Sequence, residues 1–165
     1  MQTPIKIILF CLVAFSSSLI AQEPVVGVED PESLFVDDDP VLHRNKQATL
    51  HIMRELLQCS YWDRADEWLT DRYIQHNPNA PSGLEGLVNY FNEVINREPA
   101  ATCDELTREV VAVIAEDDVV VVMMPREYPH PTNEGEVYST TWFDAWRFVD
   151  GKADEHWDPA TLNPQ

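Results

Sequence analysis

The stretch 141-TWFDAWRFVDGKADEHWD-158 decides how the rest of this sequence is read. Bulky residues alternate with small or polar ones as far as Val149, which is the period of a β-strand. Asp150-Gly151 is a turn dipeptide, and Lys152 to Trp157 returns as a second strand, so the stretch reads as a hairpin. Its composition is odd for one. Trp142, Trp146 and Trp157 share it with Asp144, Glu155, His156 and Asp158.

On a strand from Val137 to Val149, successive side chains alternate faces. Tyr138, Thr140, Trp142, Asp144, Trp146 and Phe148 fall on one face, and Val137, Ser139, Thr141, Phe143, Ala145 and Arg147 on the other. A carboxylate among aromatic rings loses hydration, which disfavours its charged form and suits it to carrying a proton. The plainer reading is an acid on the solvent face, or one paired with an arginine. The turn decides what Asp144 meets. A two-residue turn puts Phe148 opposite Ala153 and gathers Asp144 with Glu155 and Trp157. A three-residue loop with a left-handed Gly151 and a bulge shifts the register by one, placing Asp144 opposite His156 and Trp142 opposite Asp158. The second arrangement is preferred because it collects the acids and the histidine on the aromatic face.

Working outward, the chain reads as α+β. Val41 to Cys59 is helical, with Leu42, Leu50, Met53, Leu56 and Leu57 on one face. A short helix over Trp62 to Leu69 is broken by Tyr73-Ile74-Gln75-His76-Asn77-Pro78, since the residue before a proline avoids the α region. Ser82, with Glu85 three residues on, predicts the cap of a third helix that Pro99 ends. Glu105 to Ala115 predicts a strand, Glu116-Asp117-Asp118 a turn, and Val119 to Met124 a strand covered on both faces. Three helices followed by antiparallel strands predict helices packed on one face of a sheet. Residues 41–162 form that domain. Residues 22–40, rich in proline and acids, are expected to be a flexible lead-in. Residues 1–21 have the layout of a secretory signal peptide cleaved after Ala21, so an exported protein, periplasmic or secreted, is expected.

The sequence carries 29 acids against 11 lysines and arginines, a net charge of −18. Loss of Lys6 with the leader makes the mature chain one unit more negative still. Such a chain repels phosphate backbones and anionic membrane surfaces, so neither nucleic acid nor, after cleavage, a membrane is an expected partner. Cys59 and Cys103 remain after cleavage; in an oxidising compartment they are either a disulfide or two buried thiols. No phosphate loop, nucleophile elbow or cysteine–histidine signature is present, so covalent catalysis lacks a candidate nucleophile, and without histidines at paired helical spacing or a cysteine pair no metal is expected. His43, His51 and His130 have no supporting pattern.

Tyr73-Ile74-Gln75-His76-Asn77-Pro78, Gly83 with the third helix, Trp142 to Arg147, Asp150-Gly151-Lys152 and Glu155-His156-Trp157-Asp158 together resemble the SnoaL-like polyketide cyclase family of the nuclear transport factor 2-like superfamily. The resemblance covers roughly residues 45–158. It implies a cone: three helices wrapped on a curved antiparallel sheet around a pocket, where a histidine and an aspartate act as acid and base without a cofactor. It implies catalytic roles for His76, Asp144, His156 and Asp158, with Tyr73, Asn77, Trp142 and Trp146 lining the site. The expected partner is a small hydrophobic carbonyl compound, turned over by an aldol-type or isomerase-type step, or else bound without turnover. A homodimer through the outer face of the sheet is also expected.

Overall fold

The computed structural model describes residues 23–162. The expected signal peptide lies outside these residues. No described helix is long and apolar enough to cross a membrane.

Helix α1, Pro40–His51, begins where Asp39 accepts hydrogen bonds from the backbone N–H groups of Val41 and Leu42 at 2.8 and 3.1 Å. Pro40 sits in its first turn, where no N–H is needed. The helix runs on through π-helical turns at Ile52–Gln58. Leu50, Ile52, Met53 and Leu56 point inward from it. Each contributes roughly 1.5–3 kcal/mol by leaving water. A 3-10 turn at Trp62–Arg64 leads into α2, Ala65–Trp68. Helix α3, Leu84–Asn89, continues as π turns over Tyr90–Ile95 and stops at Asn96, which is left-handed. Trp62 stacks on Phe91 with ring centroids 3.7 Å apart, tying the second helical segment to the third.

The strands are β1 (Leu69–Gln75), β2 (Ala112–Glu116), β3 (Val119–Pro129), β4 (Val137–Val149) and β5 (Lys152–Trp157). They form one curved, open sheet in the order β1-β5-β4-β3-β2. Helices pack on one face around a core that includes Phe35, Leu87, Val110, Val122, Trp146 and Phe148.

Several expectations need correcting. The stretch around Tyr73 does not simply break a helix. It is strand β1, and it pairs in parallel with β5 at the far end of the chain. Ser82 does not cap α3; Gly83 stands at that position, and the Ser82 hydroxyl accepts from the Gln75 N–H at 3.0 Å. The strand expected from Glu105 begins only at Ala112. Val119 to Met124 is not covered on both faces. Val120, Val122 and Met124 are buried, while Val119, Val121 and Met123 are half-exposed.

The described part of 22–40 is packed rather than loose. Phe35 is fully buried, Val28 N–H donates to the Val110 carbonyl at 2.8 Å, and Val25 N–H donates to Ser139 Oγ at 3.0 Å. Three phases of the acidic segment therefore have partners in the domain, which composition alone does not reveal. Cys59 and Cys103 form a disulfide with Cα atoms 6.0 Å apart, joining the end of the first helix to the segment before β2.

Candidate active site

The hairpin turn is a two-residue turn with Asp150 and Gly151 both at positive φ, 51° and 84°. The positive φ at Gly151 is what favours glycine there; the nearest atoms to a side chain at that position belong to the flexible end of Arg44, which can move aside. Val149 pairs with Lys152 and Phe148 with Ala153. Left alone, that register would turn His156 away from the aromatic face. A bulge in β5 intervenes. Arg147 pairs with Glu155, so Asp154 is the extra residue, and Trp146 pairs with His156. The expected convergence is therefore real, but a bulge one residue beyond Ala153 produces it, not a three-residue loop. His156 lies opposite Trp146, and Asp144 is its diagonal neighbour.

Asp154 is held in the bulge by β1. Its carboxylate accepts from the Thr70 hydroxyl at 2.7 Å and is ion-paired to Arg72. The Arg72 guanidinium holds this carboxyl below its ordinary value; burial opposes the effect and Thr70 adds to it.

With the register set, one rung of paired residues crosses four strands: Val120, Trp146, His156 and Gln75. Two residues along each strand, on the same face, stand Val122, Asp144, Asp158 and Asn77. Gln75, Asn77, Asp144, His156 and Asp158 of these two rows floor a cavity of about 220 Å³, roofed by helical residues such as Leu56, Leu87 and Phe91. Tyr73, Trp142 and Trp146 complete the floor.

The hydrogen bonds assign protons. Gln75 Oε1 accepts from the backbone N–H of Asn77 at 3.0 Å, which identifies it as the oxygen of the amide. The same oxygen lies 2.8 Å from His156 Nδ1, so Nδ1 is the donor. In a neutral imidazole, Nε2 then carries the lone pair. It lies 3.4 Å from Asp144 Oδ1. A proton on either atom turns that contact into a hydrogen bond. Asp144 Oδ1 also accepts from Trp142 Nε1 at 2.9 Å, while Oδ2 accepts nothing from the described residues. Asp158 is spent differently. Its Oδ2 accepts from Asn77 Nδ2 at 2.7 Å and its Oδ1 from Ala160 N–H at 2.9 Å. The Tyr73 hydroxyl accepts from Trp146 Nε1 at 3.1 Å, and burial pushes its phenol far above the usual range, so it keeps its own proton.

Asp144, His156 and Asp158 each bring a potential ligand atom within 4.8 Å of the others, and form the group of described residues that could hold a metal ion. Donors from Trp142, Asn77 and Ala160 already occupy both Asp158 oxygens and one of Asp144.

Of the residues singled out from the sequence, Tyr73, Asn77, Trp142, Asp144, Trp146, His156 and Asp158 all line the cavity. His76 does not. Alternation along β1 sends Tyr73, Gln75 and Asn77 inward and His76 outward. There its Nε2 lies 2.8 Å from Glu155, and its ring stacks on Trp157 at 5.3 Å, on the opposite face of β5. Gln75, Arg108 and Arg126 line the cavity and were not singled out. Gln75 was legible in principle. Reading 69–75 as a strand places it two residues from both Tyr73 and Asn77.

An α+β cone with an acid–histidine pair on the floor of its sheet is a nuclear transport factor 2-like fold. The model of the SnoaL-like domain matches residues 53–156, most of the chain, and the protein belongs to that family. Among solved structures, a putative polyketide cyclase from Acidithiobacillus ferrooxidans is similar at 16% identity, with a TM-score of 0.50 over 70% of this chain and 86% of that one. A putative SnoaL-like polyketide cyclase from Jannaschia sp. CCS1 is similar at 20% identity, with a TM-score of 0.50 over 74% and 90%. At these identities the likeness is one of fold. No curated protein matches the sequence.

Proposed function

We propose that the protein is a cofactor-free acid–base enzyme acting on a small, mostly apolar carbonyl compound, by an aldol-type ring closure or an isomerisation. The observation that carries this reading is the unequal use of two neighbouring carboxylates. Asp158 has both oxygens bonded, whereas Asp144 keeps Oδ2 free of the described donors. Asp144 Oδ2 removes a proton next to the substrate carbonyl. Tyr73, which retains its proton, donates a hydrogen bond to the oxygen that gains charge. His156, with Nδ1–H held by Gln75, receives the proton from Asp144 at Nε2 and returns it to the product. No proton is lost over the cycle. Trp142 and Trp146 exclude water from the reacting carbon.

The test is washout of α-protons from a panel of enolisable aryl ketones in D2O, followed by NMR. Asp144→Asn is expected to slow washout by roughly 100-fold, the scale of one general-base step. Equal washout by both proteins removes Asp144 from this role. An exported domain that binds such a compound without turnover is the second reading. It is favoured by the use of Asp158 as a structural acceptor. Wild-type washout no faster than buffer would select it.

Export and self-association belong to the same proposal. Export is supported by the leader-like residues 1–21 and by the disulfide, which suits an oxidising compartment. A homodimer through the outer sheet face is supported by Phe143 and Ile114, both exposed there.

A further inference from the structure

In a chain of net charge −18, cations are scarce, and five of the described ones are ion-paired. Lys46 pairs with Asp37, Arg54 with Glu32, Arg64 with Glu67, Arg72 with Asp154 and Arg147 with Glu155. The two arginines that line the cavity are not among them. Neither Arg108 nor Arg126 is in an ion pair with a described residue, although Asp144 and Asp158 line the same cavity.

Both are fixed by other means. The Arg126 guanidinium, on β3, lies over the Trp142 ring at 5.1 Å and the Tyr128 ring at 5.8 Å. Stacking of this kind holds the planar fork without using its donors. Arg108 donates one hydrogen bond from Nη2 to the Leu57 carbonyl at 3.0 Å. Arg97 donates to that same carbonyl and to Gln58 O and Ser60 Oγ, so a third guanidinium stands beside them. Arg108 and Arg126 meet again in a depression at the cavity edge, with Trp142, Met124, Pro125, Glu109 and Asp144. Although Arg108 is open to solvent as a whole residue, the protein around its guanidinium, and then the charge of Arg97, hold it below the ordinary arginine value.

Clustered like charges cost energy unless something neutralises them. Here the cluster sits at the edge of an apolar cavity, on a protein whose remaining field repels anions. The geometry points to a ligand that is a small apolar organic acid. Its carboxylate lies between Arg108 and Arg126, and its hydrocarbon body runs inward over Trp142 toward Leu56 and Phe91. Planar guanidinium groups suit a carboxylate because their paired N–H donors match its two oxygens. The inference rests on the cavity being the working site, and it adds the class of substrate: a carbonyl compound that also carries a carboxylate.

The test is calorimetric titration of the full mature chain with two acids, cinnamate and 2-naphthoate, against their neutral amides, cinnamamide and 2-naphthamide. The acids are expected to bind at least about tenfold more tightly, the scale of one charge-assisted hydrogen bond. The preference is expected to shrink in Arg108→Gln and in Arg126→Gln, to fall with added salt, and to survive in Arg64→Gln. Thermal melts report whether each variant is folded. Equal binding of acids and amides, no binding of either acid at millimolar concentration, or full preference in the Arg108→Gln/Arg126→Gln double variant overturns the inference. Asp144→Asn separates this from the acid–base reading: it is expected to keep the preference for acids while losing turnover. Loss of the preference leaves proton transfer by Asp144 to its own test.

Discussion

Gln75 Oε1 accepts the Nδ1 proton of His156 at 2.8 Å, across the parallel pairing of β1 and β5. Because the same oxygen accepts from Asn77 N–H, the amide cannot flip without losing a bond. The imidazole is thereby held with Nε2 toward Asp144. Gln75 is a positioning residue: it acts through His156. Gln75→Leu is expected to lower turnover by about tenfold or more, as when an orienting partner of a catalytic group is removed. The specific readout is the 15N spectrum of the imidazole, where wild type shows Nδ1 protonated in the neutral ring and the variant a mixture of tautomers. An unchanged spectrum would show that Gln75 does not set the tautomer.

The Asp154–Arg72 pair makes stability depend on acid. The folded-state value of Asp154 lies below its ordinary one. Its contribution is therefore complete above about pH 4, the unfolded value, and disappears as the pH falls through the folded one. Asp154→Asn is expected to melt below wild type near neutral pH, with the gap closing below about pH 4. A gap that stays constant from neutral pH to pH 3 would mean that the charge of Asp154 is not what stabilises the bulge.

The Cys59–Cys103 bridge closes a separation of 44 residues between the first helix and the segment leading to β2. Replacing both cysteines by serine is expected to cost roughly 2–4 kcal/mol in urea unfolding. It should not move the hairpin, so the Gln75–His156 tautomer signature serves as a control. A cost near zero would show that residual structure already holds these segments together in the unfolded chain.

On the outer face of the sheet, Met123 pairs with Phe143, and Val121 with both Ile114 and Ala145. Phe143 and Ile114 are 43% and 56% exposed, and they are the surface that the proposed dimer would cover. Light scattering is expected to give the mass of a dimer for the mature chain and of a monomer for Phe143→Glu. A monomeric wild type removes the dimer.

Helix α1, the hairpin and the α+β order were legible because each is a local pattern. Leu50, Met53 and Leu56 recur at helical spacing, and Asp150-Gly151 announces its turn. Strand β1 was not, because a short strand directly after a helix looks like the helix breaking. Its partner lies some 80 residues away, and only that pairing reveals it. His76 illustrates the consequence: in a loop it was free to face the pocket, but at the end of a strand its neighbours Gln75 and Asn77 take that face.

By itself the sequence determined the chemistry available on β4 and β5: an aspartate between tryptophans, and a Glu-His-Trp-Asp run that returns beside it. It also placed the turn at Asp150-Gly151, residues that tolerate positive φ, but permitted either a two-residue turn or a three-residue loop there. Whether His156 and Asp158 face Asp144 was decided by tertiary structure. The turn alone sends them away. Thr70 and Arg72, from a strand far off in sequence, hold Asp154 out of register, and that one extra residue turns every later side chain of β5 to the other face.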